Sequence, residues 1–222
     1  MQWLSHSSLK CNDAKTEFMF ICKANQAPDC ADLKVGMSQI AVKKHVKNLG
    51  VILDSNMNMS KFITCKCQSL NYSLNNLRQI RKYLTKNASE ILVNAYITSK
   101  LDYCNSILYG LPKSHIRPLQ LIQNRAARLI CGTGNREHII PVLKELHWLP
   151  VKARILFKIV LTVYKCLNDS GPQYLANELI FRTQHFNLRS SQAVQLYRPQ
   201  SYDSFNSRET LVPHYGPTCL TI

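Results

Sequence analysis

Residues 87–130 read NASEILVNAYITSKLDYCNSILYGLPKSHIRPLQLIQNRAARLI, and this stretch decides the helical part of the fold. Apolar residues recur at three- and four-residue steps on both sides of Gly110 and Pro112, which is the pattern of two helices joined by a tight corner. Asn87 and Glu90 have the spacing of a capping box, so we expect the first helix to begin near Asn87 and to end at Gly110. Its expected buried face consists of Ile91, Leu92, Ala95, Tyr96, Ser99 and Tyr103.

The second helix of this stretch follows Pro112 and carries several arginines. Ser114 is a candidate cap, and the first helical turn tolerates Pro118 because early helical amides lack intrahelical acceptors. The expected buried stripe consists of Leu119, Ile122, Ala126, Leu129 and Ile130. The arginines outside the stripe are Arg117, Arg125 and Arg128. No acidic residue lies between Asp102 and Glu137, so nothing nearby in sequence balances these arginines.

Residues 61–84 predict one long helix upstream of these two. Its apolar positions recur with the helical period, and the expected stripe consists of Ile63, Leu70, Leu74, Leu77 and Leu84. Its basic candidates for binding are Lys66, Arg78, Arg81 and Lys82. With the arginines of the later helix, these side chains are predicted to contact phosphate groups. The alternative role is structural, because arginines also cap carbonyl groups and cover apolar seams.

Before residue 56 the apolar residues alternate with a period of two, which predicts a small antiparallel sheet. The predicted strands are residues 16–22, 33–35, 38–42 and 46–54. Gly36–Met37 separates two of them by the two residues of a tight hairpin. Leu49 and Gly50 fall inside the last strand, where a glycine marks a bulge or a close approach of another backbone. The predicted fold class is therefore α+β, a small antiparallel sheet followed by a mainly helical bundle.

The chain after the arginine-rich helix is also helical for some distance. Residues 141–146 predict a helical turn, and residues 151–167 predict a further helix with Pro150 as its first residue and Trp148 as a buried anchor. The expected buried side chains of that helix are Ile155, Leu156, Ile159, Val163 and Leu167. From residue 183 the pattern has no period, which predicts a loosely ordered C-terminal tail. The predicted domains are residues 1–57, 58–182 and 183–222.

The chain is strongly basic, and the charge is concentrated. Its 222 residues hold 28 Lys and Arg against 13 Asp and Glu, a formal net charge of +15. Residues 61–130 alone contain 11 basic and 2 acidic residues. This concentration favours a polyanion such as RNA or DNA as the partner, although an acidic protein or a merely solvated basic surface has the same composition.

The sequence has no motif typical of a catalytic or metal centre. Two-metal phosphoryl transfer needs closely spaced carboxylates, and the nearest candidates, Asp29 and Asp32, lie in a predicted loop. Cys65 and Cys67 lack a second pair at zinc spacing, so no metal site is predicted. The 9 cysteines do not form a disulfide-type framework, and no stretch has the length of a signal or membrane segment. These features predict an intracellular protein without a membrane partner.

Three segments resemble the region behind the polymerase core in reverse transcriptases of non-LTR (LINE-type) retrotransposons. They are AYITSKLDYCNSILYGLP at 95–112, LQLIQNRAARLI at 119–130 and HIIPVLKELHWLPVKARILFKIVLTVYK at 138–165. The similarity extends over about residues 3 to 190. It implies an RNA-directed DNA polymerase fragment that contains the last part of the palm, the primer-grip hairpin, a helical thumb and some of the C-terminal region.

The resemblance also implies roles for individual residues. Lys15, in LKCNDAKTEF, would lie near the phosphates of the incoming nucleotide, and Leu49 with Gly50 would form the primer grip. The magnesium or manganese ions of the parent enzyme are held by aspartates upstream of a stretch like this one. We therefore expect no cofactor in this chain and no polymerase activity from it alone, so whether it is an enzyme stays open.

These observations together favour a truncated remnant of a reverse transcriptase that retains elements gripping the template and primer. The partner would be the backbone of an RNA or DNA duplex, which a thumb holds through lysines and arginines without reading bases. No small-molecule substrate is indicated. Two alternatives remain: an independent basic helical module that binds nucleic acid, and an inert open reading frame derived from a retroelement.

Overall fold

The computed structural model describes residues 6–8, 12, 15–21, 32–35, 38–134, 136–180, 196 and 219–221. The chain is α+β, as the sequence predicts. It forms two compact units, the first made of Met1–Gln68 and Thr210–Ile222 and the second of Ser69–Glu209. The division between them falls inside a helix.

The first unit contains short strands that pair two by two. They are β1 (Phe18–Phe20), β2 (Asp32–Val35), β3 (Ser38–Ala41), β4 (His45–Asn48), β5 (Val51–Asp54) and β6 (Cys219–Thr221). The pairs β1–β6, β2–β3 and β4–β5 are all antiparallel. Glu17 ties the start of β1 to β4, because one carboxylate oxygen accepts from Lys43 Nζ at 2.6 Å and the other from the backbone N–H of Lys47 at 3.3 Å. The buried apolar residues of these strands include Phe18, Met19, Ile40, Val46 and Val51.

The single strand predicted for residues 46–54 is wrong, because the chain turns back at Leu49 and Gly50. Asn48 pairs with Val51 across a two-residue turn, and both turn residues have positive φ, 45° for Leu49 and 84° for Gly50. A two-residue hairpin of type I′ requires this conformation at both positions, which glycine adopts at little cost and leucine does not. Leu49 is apolar and in step with Val51 and Leu53, so the sequence reads there as part of a strand and does not show the turn.

The predicted hairpin around Gly36–Met37 is confirmed in its strands. Val35 pairs with Ser38, so β2 and β3 are separated by two residues, which themselves lie outside the described part of the chain. The predicted loosely ordered tail also lies outside the described residues, except for Leu196 and β6. The sequence did not predict β6.

The helices that the structure describes lie between β5 and β6 in the chain. They are α1 (Ser60–Ile80), α2 (Lys86–Val93), α3 (Ser99–Asp102), α4 (Lys113–Cys131), α5 (Ile139–Glu145), α6 (Val151–Leu167) and α7 (Gln173–Ala176), with 3₁₀ turns at Arg81–Tyr83 and Asn105–Leu108. The predicted stripe of α1 is buried at Ile63, Leu70, Leu74 and Leu77. Within the second unit, α4 contacts α2, α5 and α6 and is therefore its central helix. None of the helices in the described residues has the length and apolar character needed to cross a bilayer.

The N-terminus of α2 is capped by Thr85 and not by the predicted capping box. The Thr85 hydroxyl accepts a hydrogen bond from the backbone N–H of Ala88 at 3.2 Å. Asn87 is already inside the helix, since Lys86 is its first residue. The prediction was wrong because threonine is also a good cap, and the chain begins its helix at the earlier of the two candidates.

The predicted apolar face of α2 is also wrong. The buried residues are Ser89, Val93, Ile97 and Leu101, whereas Ile91, Tyr96 and Tyr103 are at least half exposed. A π turn at Asn94–Thr98 between α2 and α3, in which the Ser99 N–H donates to Asn94 O, keeps Ile97 and Leu101 on the same face as Val93. A wider turn lengthens the local period beyond 3.6 residues, so a row at steps of four stays on one face. The helix ends at Asp102, well before Gly110, because Cys104 takes a left-handed conformation with φ 49°.

The start of α4 also differs from its prediction, although its core matches. The helix begins at Lys113 with Pro112 at the cap position, so Ser114 is inside the helix and caps nothing. Pro118 lies beyond the first turn, where its ring removes one helical hydrogen bond. Of the predicted stripe, Leu119, Ile122, Ala126 and Ile130 are buried and Leu129 is half-buried, while Gln123 and Ala127 are buried as well.

The predicted bounds of α6 are confirmed, although Pro150 is its cap residue and not its first helical residue. Its burial is only partly as expected. Ile155 is buried with Val151 and Cys166, whereas Leu156 and Leu167 are exposed. Apolar residues occur on more than one side of this helix, so the period alone did not identify the covered side. Trp148 is half-buried and has the Arg154 guanidinium 5.9 Å from its ring centre.

Candidate nucleic-acid interface

Four arginines of the second unit line one cavity of ≈ 290 Å³. Arg78 and Arg81 come from the end of α1 and the turn after it, and Arg125 with Arg128 come from the last two turns of α4. Leu129, Gly132 and Thr133 complete the lining. No acidic residue contributes to this lining among the residues that the structure describes. We call this site the arginine cavity.

Arg81 serves a structural purpose at the arginine cavity. Its Nε donates to Leu129 O at 2.7 Å and its Nη2 to Ile130 O at 3.0 Å, both at the end of α4. Its Nη1 donates to Leu84 O at 2.8 Å. A guanidinium has five N–H groups, so three of these bonds leave two donors and the full positive charge. Arg81 therefore ties α1 to α4 and still contributes charge to the cavity.

Arg128 and Thr133 bring hydrogen-bonding groups without partners to the same cavity. Arg128 is half-buried, and its Nη2 donates to Glu137 O at 3.0 Å. Its Nε is buried and has no hydrogen-bond partner in the described structure, and the same holds for the Thr133 hydroxyl. Buried donors are normally paired, because an unpaired one costs about 1–3 kcal/mol. These two unsatisfied donors belong to residues that line the cavity.

Arg78 and Arg125 are the exposed arginines of the cavity. Arg125 Nη1 donates to the side-chain oxygen of Asn71 at 3.2 Å, its one hydrogen bond in the described structure. Arg78 makes no hydrogen bond or ion pair with any described residue. Their guanidinium groups are therefore available for a ligand, and planar guanidinium groups suit phosphate oxygens.

The other predicted binding residues lie elsewhere. Arg117 on α4 is exposed but does not line the cavity, and Lys82 lies over the ring of Tyr83, with Nζ 4.8 Å from the ring centre. The remaining ones belong to the first unit and are described by themselves: exposed Lys15 in a short turn, Leu49 and Gly50 at the β4–β5 turn, and half-buried Lys66 with its Nζ 4.9 Å from the Phe62 ring centre.

Two lining residues were missed from the sequence, Thr133 and Gly132. Gly132 follows the last helical residue in the left-handed conformation, with φ 70°, and its N–H donates to Arg128 O at 2.8 Å. Glycine after an arginine-rich helix is a recognisable signal for the end of the helix, and Thr133, the next residue, lines the cavity with the arginines. The motif Gly-Thr-Gly after the helix was therefore the sequence feature that could have indicated these two lining residues.

The carboxyl and thiol groups near the end of α4 leave the cavity positive. A hydrogen bond from Lys86 lowers the pKa of the Glu145 carboxyl, so this acid is ionised but paired. Burial raises the pKa of the Cys131 thiol, which keeps it neutral at pH 7. Neither group adds an unbalanced negative charge.

The described residues contain no group of three or more His, Cys, Asp or Glu side chains placed to hold a metal ion. Asp54 is buried, and its two carboxylate oxygens accept from the backbone N–H groups of Asn58 at 2.9 Å and Met59 at 2.7 Å. Asp29 and the side chain of Asp32 lie outside the described part of the chain.

The chain matches no protein-family model, no curated protein and no solved structure. Any function assigned to it therefore depends on the geometry of its own residues and on the sequence segments quoted above.

Proposed function

We propose that this chain binds nucleic acid through the phosphate backbone, as a remnant of a LINE-type reverse transcriptase. The observation that carries the proposal is the arginine cavity, where four guanidinium groups meet with no described acid among them. Phosphate is the anion that a basic groove of this kind takes from a nucleic acid, and the contact is independent of base sequence.

The unpaired donors support an oxyanion as the ligand. Arg128 Nε and the Thr133 hydroxyl are buried without acceptors, so a phosphate oxygen would satisfy groups that the described protein leaves unsatisfied. Arg78 and Arg125 are exposed and would supply the outer contacts. An acidic protein would satisfy the charge equally, and a chain that does not bind DNA through the arginine cavity favours that partner.

The resemblance to reverse transcriptases supports the same site, because α1 and α4 lie in the segments that would form the thumb. A thumb grips the backbone of the template–primer duplex. Leu49 and Gly50 form an exposed hairpin turn, with Leu49 84% exposed, which suits the primer-grip role that the resemblance implies. Lys15 keeps its proposed place beside the incoming phosphates, and the divalent ions of the parent enzyme would be held by residues other than these.

The experiment measures the affinity of the purified full chain for a DNA duplex as a function of salt concentration. The test variant changes Arg78 and Arg125 together to Gln. If each arginine neutralises one phosphate, the slope of log affinity against log salt should become shallower by about 1.8, since each contact contributes about 0.9 on B-form DNA. Both side chains are exposed, so the two substitutions together should change the free energy of unfolding by no more than about 1 kcal/mol.

The matched control changes Lys113 and Lys144 together to Gln, which removes the same charge from exposed positions outside the cavity. Its slope should stay close to that of the wild type. Equal slopes for the test and control variants would overturn the proposal, and so would an absence of DNA binding by the wild type.

A further inference from the structure

A second cavity in the second unit, of ≈ 490 Å³, lies on the exposed side of α6. Part of its wall is apolar and comes from Leu149, Phe157 and Leu161, which are 47%, 57% and 37% exposed. Ligand pockets of about 300–1,000 Å³ with apolar walls and a few polar groups hold small organic groups. The arginine cavity shares no residue with it.

One buried polar group in this second cavity lacks a partner. Asn105 lines the cavity, is 2% exposed, and its Oδ1 accepts no hydrogen bond in the described structure. The orientation of its amide is set by Asp102, because Asn105 Nδ2 donates to Asp102 Oδ1 at 3.4 Å. Asp102 is held in turn by Arg154, whose Nη1 lies 2.6 Å from Asp102 Oδ2. The Oδ1 atom can therefore still accept a hydrogen bond from an N–H donor of a ligand.

Two lysines give the same cavity a positive side. Lys158 and Lys165 both line it and are seven residues apart on α6, which places them on one face two turns apart. Both are exposed, and neither forms an ion pair with a described residue. Asp102, the acid of the lining, already pairs with Arg154. The cavity therefore suits a ligand with an anionic end and a flat, apolar body that carries a donor.

We propose that this cavity binds one unpaired nucleotide whose base carries an amino group. The amino group donates to Asn105 Oδ1, the base lies against Phe157, and the phosphate lies between Lys158 and Lys165. An exposed aromatic ring beside lysines is the usual arrangement for single-stranded nucleic acid, because every base offers a face for stacking. This site is separate from the arginine cavity. The nucleotide is either free or part of an unpaired strand.

The ligand series tests each contact without altering the fold. Adenosine 5′-monophosphate should bind the full chain more tightly than purine riboside 5′-monophosphate, which lacks only the amino group, by at least about fivefold. Ribose 5-phosphate, which lacks the base, should bind more weakly still. Equal affinity for the first two would overturn the assignment of Asn105, and equal affinity for all three would overturn the nucleotide site.

The variants test the position of the site on α6. Phe157→Ala should weaken binding of adenosine 5′-monophosphate by at least about fivefold, whereas Tyr164→Ala, an exposed aromatic on the same helix outside the cavity, should not. Lys158→Gln should weaken it too, with Lys152→Gln as the matched control. Both test residues are exposed, so unfolding of the protein does not explain a loss of binding. Equal effects of test and control variants would contradict the proposal.

A short single-stranded oligonucleotide distinguishes the two sources of the nucleotide. The measurement uses the Arg78→Gln and Arg125→Gln double variant, so that binding at the arginine cavity does not mask the second site. Tight binding of the oligonucleotide that depends on Phe157, with weak binding of the mononucleotide, supports an unpaired strand. Comparable affinities for the two support a free nucleotide. If neither ligand binds in a way that depends on Phe157, the proposal is wrong.

Discussion

Replacing Arg81 with methionine tests whether this arginine holds the second unit together. Methionine keeps the apolar stem and removes the three hydrogen bonds to Leu84, Leu129 and Ile130. A hydrogen bond to a charged group contributes about 1.5–3 kcal/mol when buried. These are partly buried, so we take about 1 kcal/mol for each, and the free energy of unfolding should fall by about 3 kcal/mol. That is a large share of the roughly 5–15 kcal/mol typical of a domain.

The assay is urea unfolding of the full chain followed by far-ultraviolet circular dichroism, which reports mainly on the helical second unit. Arg125→Met is the matched control, because Arg125 lines the same cavity but makes one exposed hydrogen bond, to Asn71. The free energy of unfolding of this control variant should fall by no more than about 1 kcal/mol. Similar losses for the two variants would refute the structural role of Arg81.

Three other outcomes follow from particular residues. Gln123→Leu should lower the free energy of unfolding, measured in urea, by about 1–3 kcal/mol, because Gln123 is 1% exposed and its Nε2 donates to Leu149 O at 2.8 Å. The hydrogen bonds from Lys43 and from the Lys47 N–H lower the pKa of the Glu17 carboxyl below its usual 4.5, so the stability it adds is complete above pH 4.5 and is lost as the pH falls through the lowered pKa. The unfolding midpoints of wild type and Glu17→Gln should therefore converge in acid. In a primer-extension assay with magnesium or manganese, the chain alone should extend no primer, because its sequence has no pair of adjacent aspartates.

The sequence predicted the long helices and the β2–β3 hairpin, where strong local signals act together. The bounds of α6 matched their prediction, and those of α1 differed by a few residues, because their ends coincide with changes in apolar period or with Pro150. The β2–β3 hairpin followed from its Gly36–Met37 spacing. Apolar periodicity and turn residues depend only on positions close together in the chain, so helices and tight hairpins can be predicted without knowledge of the rest of the sequence.

Features that depend on contacts across the chain were not predictable. The π turn at Asn94–Thr98 keeps Ile97 and Leu101 on the buried face of Val93, and no local sequence pattern predicts a widened turn. Arg78, Arg125 and Arg128 were candidates from their charge, yet their meeting in one cavity depends on how α1 lies against α4. The structural use of Arg81 depends on the same packing. Charge identifies which residues are able to bind an anion, whereas packing decides which of them are available.

The second cavity had no signal in the sequence at all. Asn105 follows a left-handed residue, Cys104, which ends α3 and directs the chain into a short 3₁₀ turn. From the sequence, residues 103–108 read as the continuation of a helix, in which an asparagine would have no special position. The missing partner of Asn105 Oδ1 is visible only after the neighbouring side chains are placed.

The wide turn at Asn94–Thr98 fixes the rotational phase of everything after it in that helix. Each residue of a regular helix advances the chain by about 100° around the axis. If the five residues wound as a regular helix instead, Leu101 would swing out of the core and Asp102 away from Arg154 by about 100°, because a π turn holds about one residue more than the α-helical path it replaces. Deleting one residue at the same time would restore their positions around the axis. The segment therefore accepts the loss of a residue more readily than a tightening of its backbone at constant length.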